Sequence, residues 1–169
     1  PRRNWRAEHY ARVADHATRL HGMRVVLTGG RSPIEQNMGR AIEAAAQQPL
    51  INAIGRDTLP QMMALLKRAT ALVTPDSGPA HMATAVGTPV IGLYAATNPE
   101  RTGPYFSRSS CVNKYAEAAQ QYLRKRPEQL PWITKIEKPG VMDLIRPEDV
   151  IAKLDAVLRQ KRKRPLSLT

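Results

Sequence analysis

The fold of this chain is decided by the stretch Ala71-Thr-Ala-Leu-Val-Thr-Pro-Asp-Ser-Gly-Pro-Ala-His-Met-Ala-Thr-Ala-Val-Gly-Thr-Pro-Val-Ile-Gly-Leu-Tyr94. Its apolar and β-branched residues predict a buried strand over Ala71–Thr74 and a second one over Val90–Tyr94. Between them, turn residues followed by small residues predict a short helix over Ala80–Val86, and the next residue, a glycine, suits its end. A strand, a helix and a strand in this order predict a βαβ unit with parallel strands and a right-handed crossover.

The turn from the first of these strands into the helix carries the candidate chemistry. The leading N–H groups of a helix have no intrahelical partner and lie at the positive end of its dipole, so Ser77 and Gly78 are predicted to hold a phosphate or pyrophosphate. Asp76 would repel a phosphate and is better suited to accept hydrogen bonds from neutral hydroxyls. His81 shares a helix face with Ser77. These groups predict a ligand such as a nucleotide sugar, and a purely structural corner is the alternative.

Strand and helix alternate through the first half of the chain. Two earlier strands are predicted over Arg24–Thr28 and Leu50–Ala53, and helices over 7–20, 33–47 and 59–69. This order predicts an α/β fold in which the four strands are neighbours in a parallel sheet flanked by helices. The loops at Gly29, Gly55 and Asp76 follow strands, so they are expected to share the edge at which such sheets bind ligands.

The pattern weakens after Pro99. A brief strand is predicted over 111–113, a helix over 115–126, an irregular proline-containing segment over 127–140 and a last helix from Arg146 to about Lys161. No linker divides the chain, so residues 1–169 are predicted to form a single nucleotide-sugar-binding domain. Residues 159–169 are predicted to be a basic tail.

Composition limits the classes of protein that this chain can belong to. The net charge is +12, from 26 basic and 14 acidic residues, which favours nucleotides, nucleic acid or an acidic membrane surface as partners. One cysteine allows no intramolecular disulfide and fits a cytoplasmic location, and no apolar run approaches the roughly 20 residues that span a bilayer. The four histidines are scattered in sequence, so no metal site is predicted. GxGxxG, Walker and GxSxG motifs are absent.

Several segments together resemble the signature of the heptosyltransferase family, glycosyltransferase family 9. They are Asp76-Ser-Gly-Pro-Ala-His-Met-Ala83, Gly87-Thr-Pro-Val90, Tyr94-Ala-Ala-Thr-Asn-Pro99 and Gly103-Pro-Tyr105. The resemblance implies a Rossmann-like domain, the C-terminal donor-binding half of a GT-B fold. The start of the chain resembles the start of that half, which implies that Arg3 holds donor phosphate, although Arg6 stands where the family usually has proline. It also implies that Glu35 binds the nucleoside ribose, for which a helix-dipole role is the alternative.

The resemblance further implies an activity for a longer protein. Such a protein would transfer a sugar, heptose from ADP-heptose, to the lipopolysaccharide inner core with inversion, and without a metal or other cofactor. The acceptor site and the general base would lie in an N-terminal domain outside this sequence, so no catalytic residue is expected here. The expected partners are the donor, the acceptor, that domain and an anionic cytoplasmic membrane surface. The alternatives are a basic nucleic-acid-binding module and a regulatory domain that binds no donor.

Overall fold

The computed structural model describes residues 4–163, with side chains through residue 161. Within this range every strand pairing is parallel. One sheet joins β1 (Val26–Leu27) to β2 (Ile51–Asn52), and the other joins β3 (Leu72–Pro75), β4 (Val90–Tyr94) and β5 (Val112–Asn113) in that order.

Helices surround these strands, as the alternating pattern predicts. They are α1 (Ala7–His21), α2 (Pro33–Ala45), α3 (Leu59–Arg68), α4 (Gly78–Ala85), α5 (Pro99–Thr102), α6 (Tyr115–Leu123) and α7 (Pro147–Lys163). Single 3-10 turns lie at Arg108–Ser110, Pro127–Gln129 and Val141–Leu144. Among the described helices, none has the length and apolar character needed to cross a bilayer. The α/β fold with parallel strands is therefore confirmed.

The predicted arrangement of four neighbouring strands needs a correction. In the described part of the chain, β1 pairs with β2 and β3 pairs with β4, but no ladder joins β1 to β3. A cleft of about 940 Å³ lies there instead, with Val26 and Leu27 on one wall and Leu72 and Val73 on the other. Ladder bonds need strands about 4.8 Å apart. An apolar run predicts that a strand is buried, but it does not say which strand lies beside it.

The main core is built around β4, whose five residues are all buried. Apolar residues from both ends of the chain cover it, and the largest include Trp5, Ile136, Ile145 and Val150. Trp5 is 1% exposed, and its indole Nε1–H donates to the carbonyl of Ile145 at 3.0 Å. The segment that precedes α1 is thus anchored in the core.

Polar contacts also hold α1 against the C-terminal part of the chain. The Arg6 guanidinium donates two hydrogen bonds of 2.6 Å to the Asp143 carboxylate. His16 and His21 both contact Asp155 of α7 at 2.8 Å. Burial acts to raise the pKa of Asp155, but its hydrogen bonds with the two histidines outweigh burial and leave that pKa below its ordinary value. Although the histidines are scattered in sequence, helix packing brings these two together.

Candidate functional site

The Asp-Ser-Gly-Pro segment forms the predicted corner between a strand and a helix. β3 ends at Pro75, Ser77 is the residue before the helix, and α4 begins at Gly78, two residues earlier than predicted. Pro79 occupies one of the first two positions of α4, where its fixed backbone suits a helix start. At the far end Gly87, with φ of +78°, follows the helix as the sequence predicts.

The Ser77 side chain turns back toward the strand rather than capping the helix. Its hydroxyl oxygen lies 2.8 Å from that of Thr74, a buried residue at the end of β3, and it makes no capping bond to α4. Sequence reasoning missed Thr74, although a hydroxyl residue three positions before a serine is a possible partner. This bond positions Ser77, which is half-buried and lines the cleft.

Gly78 leaves the start of α4 open. A Cβ placed there would meet no atom within 4 Å, and the residue is exposed. Pro79 has no N–H, and the N–H of Ala80 donates to the carbonyl of Ser77 at 3.1 Å. The capacity of this turn to bind an anion therefore depends on the amides of Gly78 and the residue before it.

Asp76 lies beside the end of the neighbouring strand. Pro75 pairs with Leu93 in the register of β3 and β4, so the next residues, Asp76 and Tyr94, are neighbours. Burial and then the charge of Asp76 raise the pKa of Tyr94 above its ordinary value, which is consistent with Asp76 lying close to this phenol. The Tyr94 hydroxyl donates to the carbonyl of Thr102 at 3.4 Å. Asp76 itself is half-buried.

His81 is exposed on the first turns of α4, four residues after Ser77. Its imidazole makes no hydrogen bond within the described part of the chain. The structure therefore leaves this ring accessible and does not use it to hold the corner together.

Glu35 is engaged by its own loop. Its carboxylate accepts hydrogen bonds from the Ser32 hydroxyl at 2.6 Å and from the Gly30 N–H at 2.9 Å, and the Ser32 oxygen accepts from the Glu35 N–H at 3.3 Å. The bonds from Ser32 and then Gly30 hold the pKa of Glu35 below its ordinary value. Glu35 thus completes a cap for α2, and its remaining lone pairs are left for a ligand.

The cleft between the two sheets joins the two corners. Its lining includes Gly29 and Glu35 from the first corner and Ser77 and Pro79 from the second. Its volume of about 940 Å³ lies near the upper end of the usual range for small-molecule sites. Asp76, Gly78 and His81 belong to the second corner but do not line the cleft.

Other loop residues support the predicted shared edge. The Gly55 N–H donates to the carbonyl of Gly29 at 2.9 Å, so the loops after β1 and β2 are joined. Asn4 also lines the cleft. Arg3, the predicted phosphate ligand, lies outside the described residues.

Comparisons with known proteins place these features in a family. Residues 1–132 match the profile of glycosyltransferase family 9 (heptosyltransferase). Over 152 residues the chain is 38% identical to lipopolysaccharide core heptosyltransferase OpsX of Haemophilus influenzae, covering 90% of this chain and 44% of that protein. Over 157 residues it is 30% identical to lipopolysaccharide heptosyltransferase 3 of Escherichia coli, covering 91% of this chain and 43% of that protein.

Solved structures give the same result. A glycosyltransferase family 9 protein from Veillonella parvula matches with a TM-score of 0.73 and 28% identity, over 95% of this chain and 43% of that one. The ADP-heptose lipopolysaccharide heptosyltransferase II of E. coli matches with a TM-score of 0.72 and 27% identity, over 96% of this chain and 44% of that one. The chain spans less than half the length of the relatives it matches.

Proposed function

Because this chain belongs to glycosyltransferase family 9, the heptosyltransferases, we propose that it is the donor-binding half of an enzyme that builds the lipopolysaccharide core. The whole enzyme transfers heptose from ADP-heptose to an inner-core acceptor with inversion. The other half supplies the acceptor site and the general base. The names of the matched relatives and the 44% of their length that this chain spans support this division.

The observation that carries the proposal is the cleft shared by two strand–helix corners. In α/β proteins, ligands bind outside the carboxyl ends of parallel strands, and both corners follow such strands. Glu35 from one corner and Ser77 from the other line the same space. We therefore expect a bound nucleotide sugar to contact both corners.

The diphosphate lies against the start of α4. The open space at Gly78 lets an anion approach the amides there, and the positive end of the helix dipole favours it. Arg3 adds a guanidinium group that can donate two hydrogen bonds to phosphate, and His81 adds an accessible imidazole N–H donor. These groups stabilise the charge that develops on the departing diphosphate, so transfer proceeds without a metal.

Two carboxylates bind the neutral parts of the donor. Asp76 orients sugar hydroxyls, since it sits beside the phosphate site and its charge disfavours direct contact with phosphate. Glu35 accepts from the ribose hydroxyls through lone pairs that Ser32 and Gly30 leave unused. Because the loop also needs Glu35, its replacement would disturb the cap of α2 as well as the ligand.

The basic C-terminal segment positions the enzyme at its acceptor. Arg159 and Lys161 lie near the end of α7, and further basic residues follow in the sequence. Such a cluster is attracted to the anionic inner leaflet, on the cytoplasmic side where the donor is available. This cluster supports the proposal that the protein acts in the cytoplasm, as a peripheral protein at the membrane surface.

Calorimetry on the chain and two variants of α4 tests the proposal. Gly78→Val places a branched side chain in the open space at the first residue of the helix, and Ala85→Val is its control at the exposed far end of the same helix. We expect wild type and Ala85→Val to bind ADP and Gly78→Val to bind at least tenfold more weakly. Equal affinity of the two folded variants would contradict the phosphate site.

The same titrations distinguish the alternatives. A regulatory domain without a donor would give no heat with ADP or ADP-heptose. A nucleic-acid-binding module would bind random oligonucleotide with a steep salt dependence and leave ADP unbound.

A further inference from the structure

Three side chains from two helices converge at the seam between α1 and α7. We call them the histidine cluster: His16, His21 and Asp155. The Nε2 atoms of both imidazoles lie 2.8 Å from the same carboxylate oxygen, Oδ1 of Asp155. The ring centroids are 5.3 Å apart, and the three atoms that could bind a metal, one from each side chain, all lie within 4.8 Å of one another. Such convergence defines a point that an ion could occupy.

The cluster is held by regular structure and is shielded from solvent. The side chains of His16 and His21 are 14% and 18% exposed, and that of Asp155 is 27% exposed. His16 and Asp155 lie inside helices, and His21 is the last residue of α1 before the left-handed Gly22. Side chains fixed on helices lose little further freedom when they bind a ligand, while the residual exposure leaves a route for a small ion.

We propose that the histidine cluster binds a divalent transition-metal ion, preferentially Zn²⁺, which joins α1 to α7. Two imidazole nitrogens and one carboxylate oxygen are ligands that zinc commonly takes. Ca²⁺ and Mg²⁺ favour sites made of oxygen atoms, so the two nitrogens select against them. Three protein ligands leave the fourth tetrahedral position to water. None of the three residues lines the cleft between the corners.

The distances from the Asp155 carboxylate to the two imidazoles lie close to those of a zinc site. With bonds of about 2.0–2.2 Å, a tetrahedral ion holds its ligand atoms about 3.4 Å apart. The nitrogens and the carboxylate oxygen are 2.8 Å apart, so each ring must move away by about half an ångström, which side-chain rotation allows. Each neutral imidazole then carries its proton on Nδ1 and presents the Nε2 lone pair to the metal.

A cluster that served only as a hydrogen-bonded clip would behave differently. It would hold α1 to α7 equally well with or without zinc, because its donors and acceptor are already paired. A metal site gains stability from its ion in proportion to the logarithm of the metal concentration. The response to zinc therefore separates the two roles.

Titration of the tag-free, chelator-treated chain with ZnCl₂ tests the proposal, with MgCl₂ in parallel. The variants are His16→Ala, His21→Ala and Asp155→Asn, the last of which keeps the shape of the side chain. His9→Ala, in the same helix but outside the cluster, is the control. We expect each cluster variant to lower zinc affinity at least tenfold and the control to leave it unchanged. Zinc, but not magnesium, should raise the melting temperature of wild type.

Co²⁺ gives a readout that does not depend on stability. Bound at the cluster it should show the visible absorption bands of low coordination in wild type and His9→Ala, and Asp155→Asn should lose them. Zinc affinity in folded Asp155→Asn equal to that of wild type would overturn the proposal, as would the absence of those bands in wild type. If an alanine variant fails to fold, Asp155→Asn and the wild-type cobalt spectrum decide the question.

Discussion

At the scale of single residues, Asp76 and its neighbours have different surroundings. Asp76 lies beside Tyr94, Ser77 is hydrogen-bonded to Thr74, and Gly78 faces open space. The residue that precedes α4 is Ser77, and its hydroxyl does not cap the helix. Replacing Asp76 therefore tests sugar binding without removing the residue at the capping position.

Asp76→Ala should weaken binding of ADP-heptose and leave binding of ADP unchanged or slightly tighter. Each lost hydrogen bond to a charged acceptor costs about 1.5–3 kcal/mol, or roughly 10- to 100-fold in affinity, while the loss of a negative charge favours a nearby diphosphate. Paired calorimetry with ADP and ADP-heptose measures the difference, once circular dichroism shows that the variant is folded. Equal losses for both ligands would make Asp76 a structural residue of the corner.

At the scale of elements, polar contacts join α1 to the segment that leads into α7. The Arg6–Asp143 pair makes two hydrogen bonds, and the Arg6 bond is the largest cause that lowers the pKa of Asp143. A carboxyl group whose pKa is lower in the folded than in the unfolded state stabilises the fold. This stabilisation is fully present at pH values above the pKa of the unfolded state. That contribution is lost as the pH falls through the folded pKa.

A double-mutant cycle with Arg6→Gln and Asp143→Asn measures this contribution. The coupling between the two residues should be small, because the guanidinium is exposed, and present near neutral pH. It should decrease as the pH falls below about 4, where the ordinary aspartate pKa lies. Denaturant unfolding at pH 7 and pH 3 checks this, and a coupling that does not change between the two would contradict the assignment.

The basic end of α7 allows a matched test of membrane binding. Neutralising Arg159, Lys161 and Arg162 with glutamine should lower partition onto anionic vesicles at low salt, because each charge near the surface contributes about 1 kcal/mol. The control neutralises three basic residues elsewhere, Arg124, Lys125 and Arg126, so both variants have the same net charge. Equal partition of the two variants would mean that overall charge, not this segment, attracts the membrane.

At the scale of the whole molecule, the chain spans 44% of the length of its H. influenzae relative. A cleft completed by two halves encloses a ligand more fully than one half can. In the proposed enzyme this chain supplies both corners of the cleft, and the other half covers them. We therefore expect this chain to bind the donor more weakly than a full-length enzyme does, and to catalyse no sugar transfer.

The isolated chain should bind ADP and ADP-heptose weakly and show no sugar transfer. Calorimetry measures the first, and product analysis after incubation with ADP-heptose and a lipopolysaccharide acceptor measures the second. A full-length relative assayed alongside shows that the acceptor is competent. Transfer by the chain alone would refute the division of labour between two halves.

The family signature was recognisable in the sequence because its residues are close together along the chain. Proline, glycine and serine act through local backbone preferences. The corner at residues 75–79 and the end of α4 at Gly87 could therefore be predicted from the order of residues along the chain. The inward face of α7, with Val150, Leu154 and Val157 buried, follows from helical spacing in the same way.

By itself, then, the sequence determined the parallel α/β class, the alternation of strands and helices in the first half, and the residue types that form the two corners. Only the tertiary structure decided that Asp76 lies beside Tyr94, that β1 and β3 flank a cleft, and that His16 and His21 meet Asp155. The physical reason is distance along the chain. Local preferences depend on adjacent residues, whereas these contacts depend on strand register and helix packing, which bring together residues up to 139 positions apart.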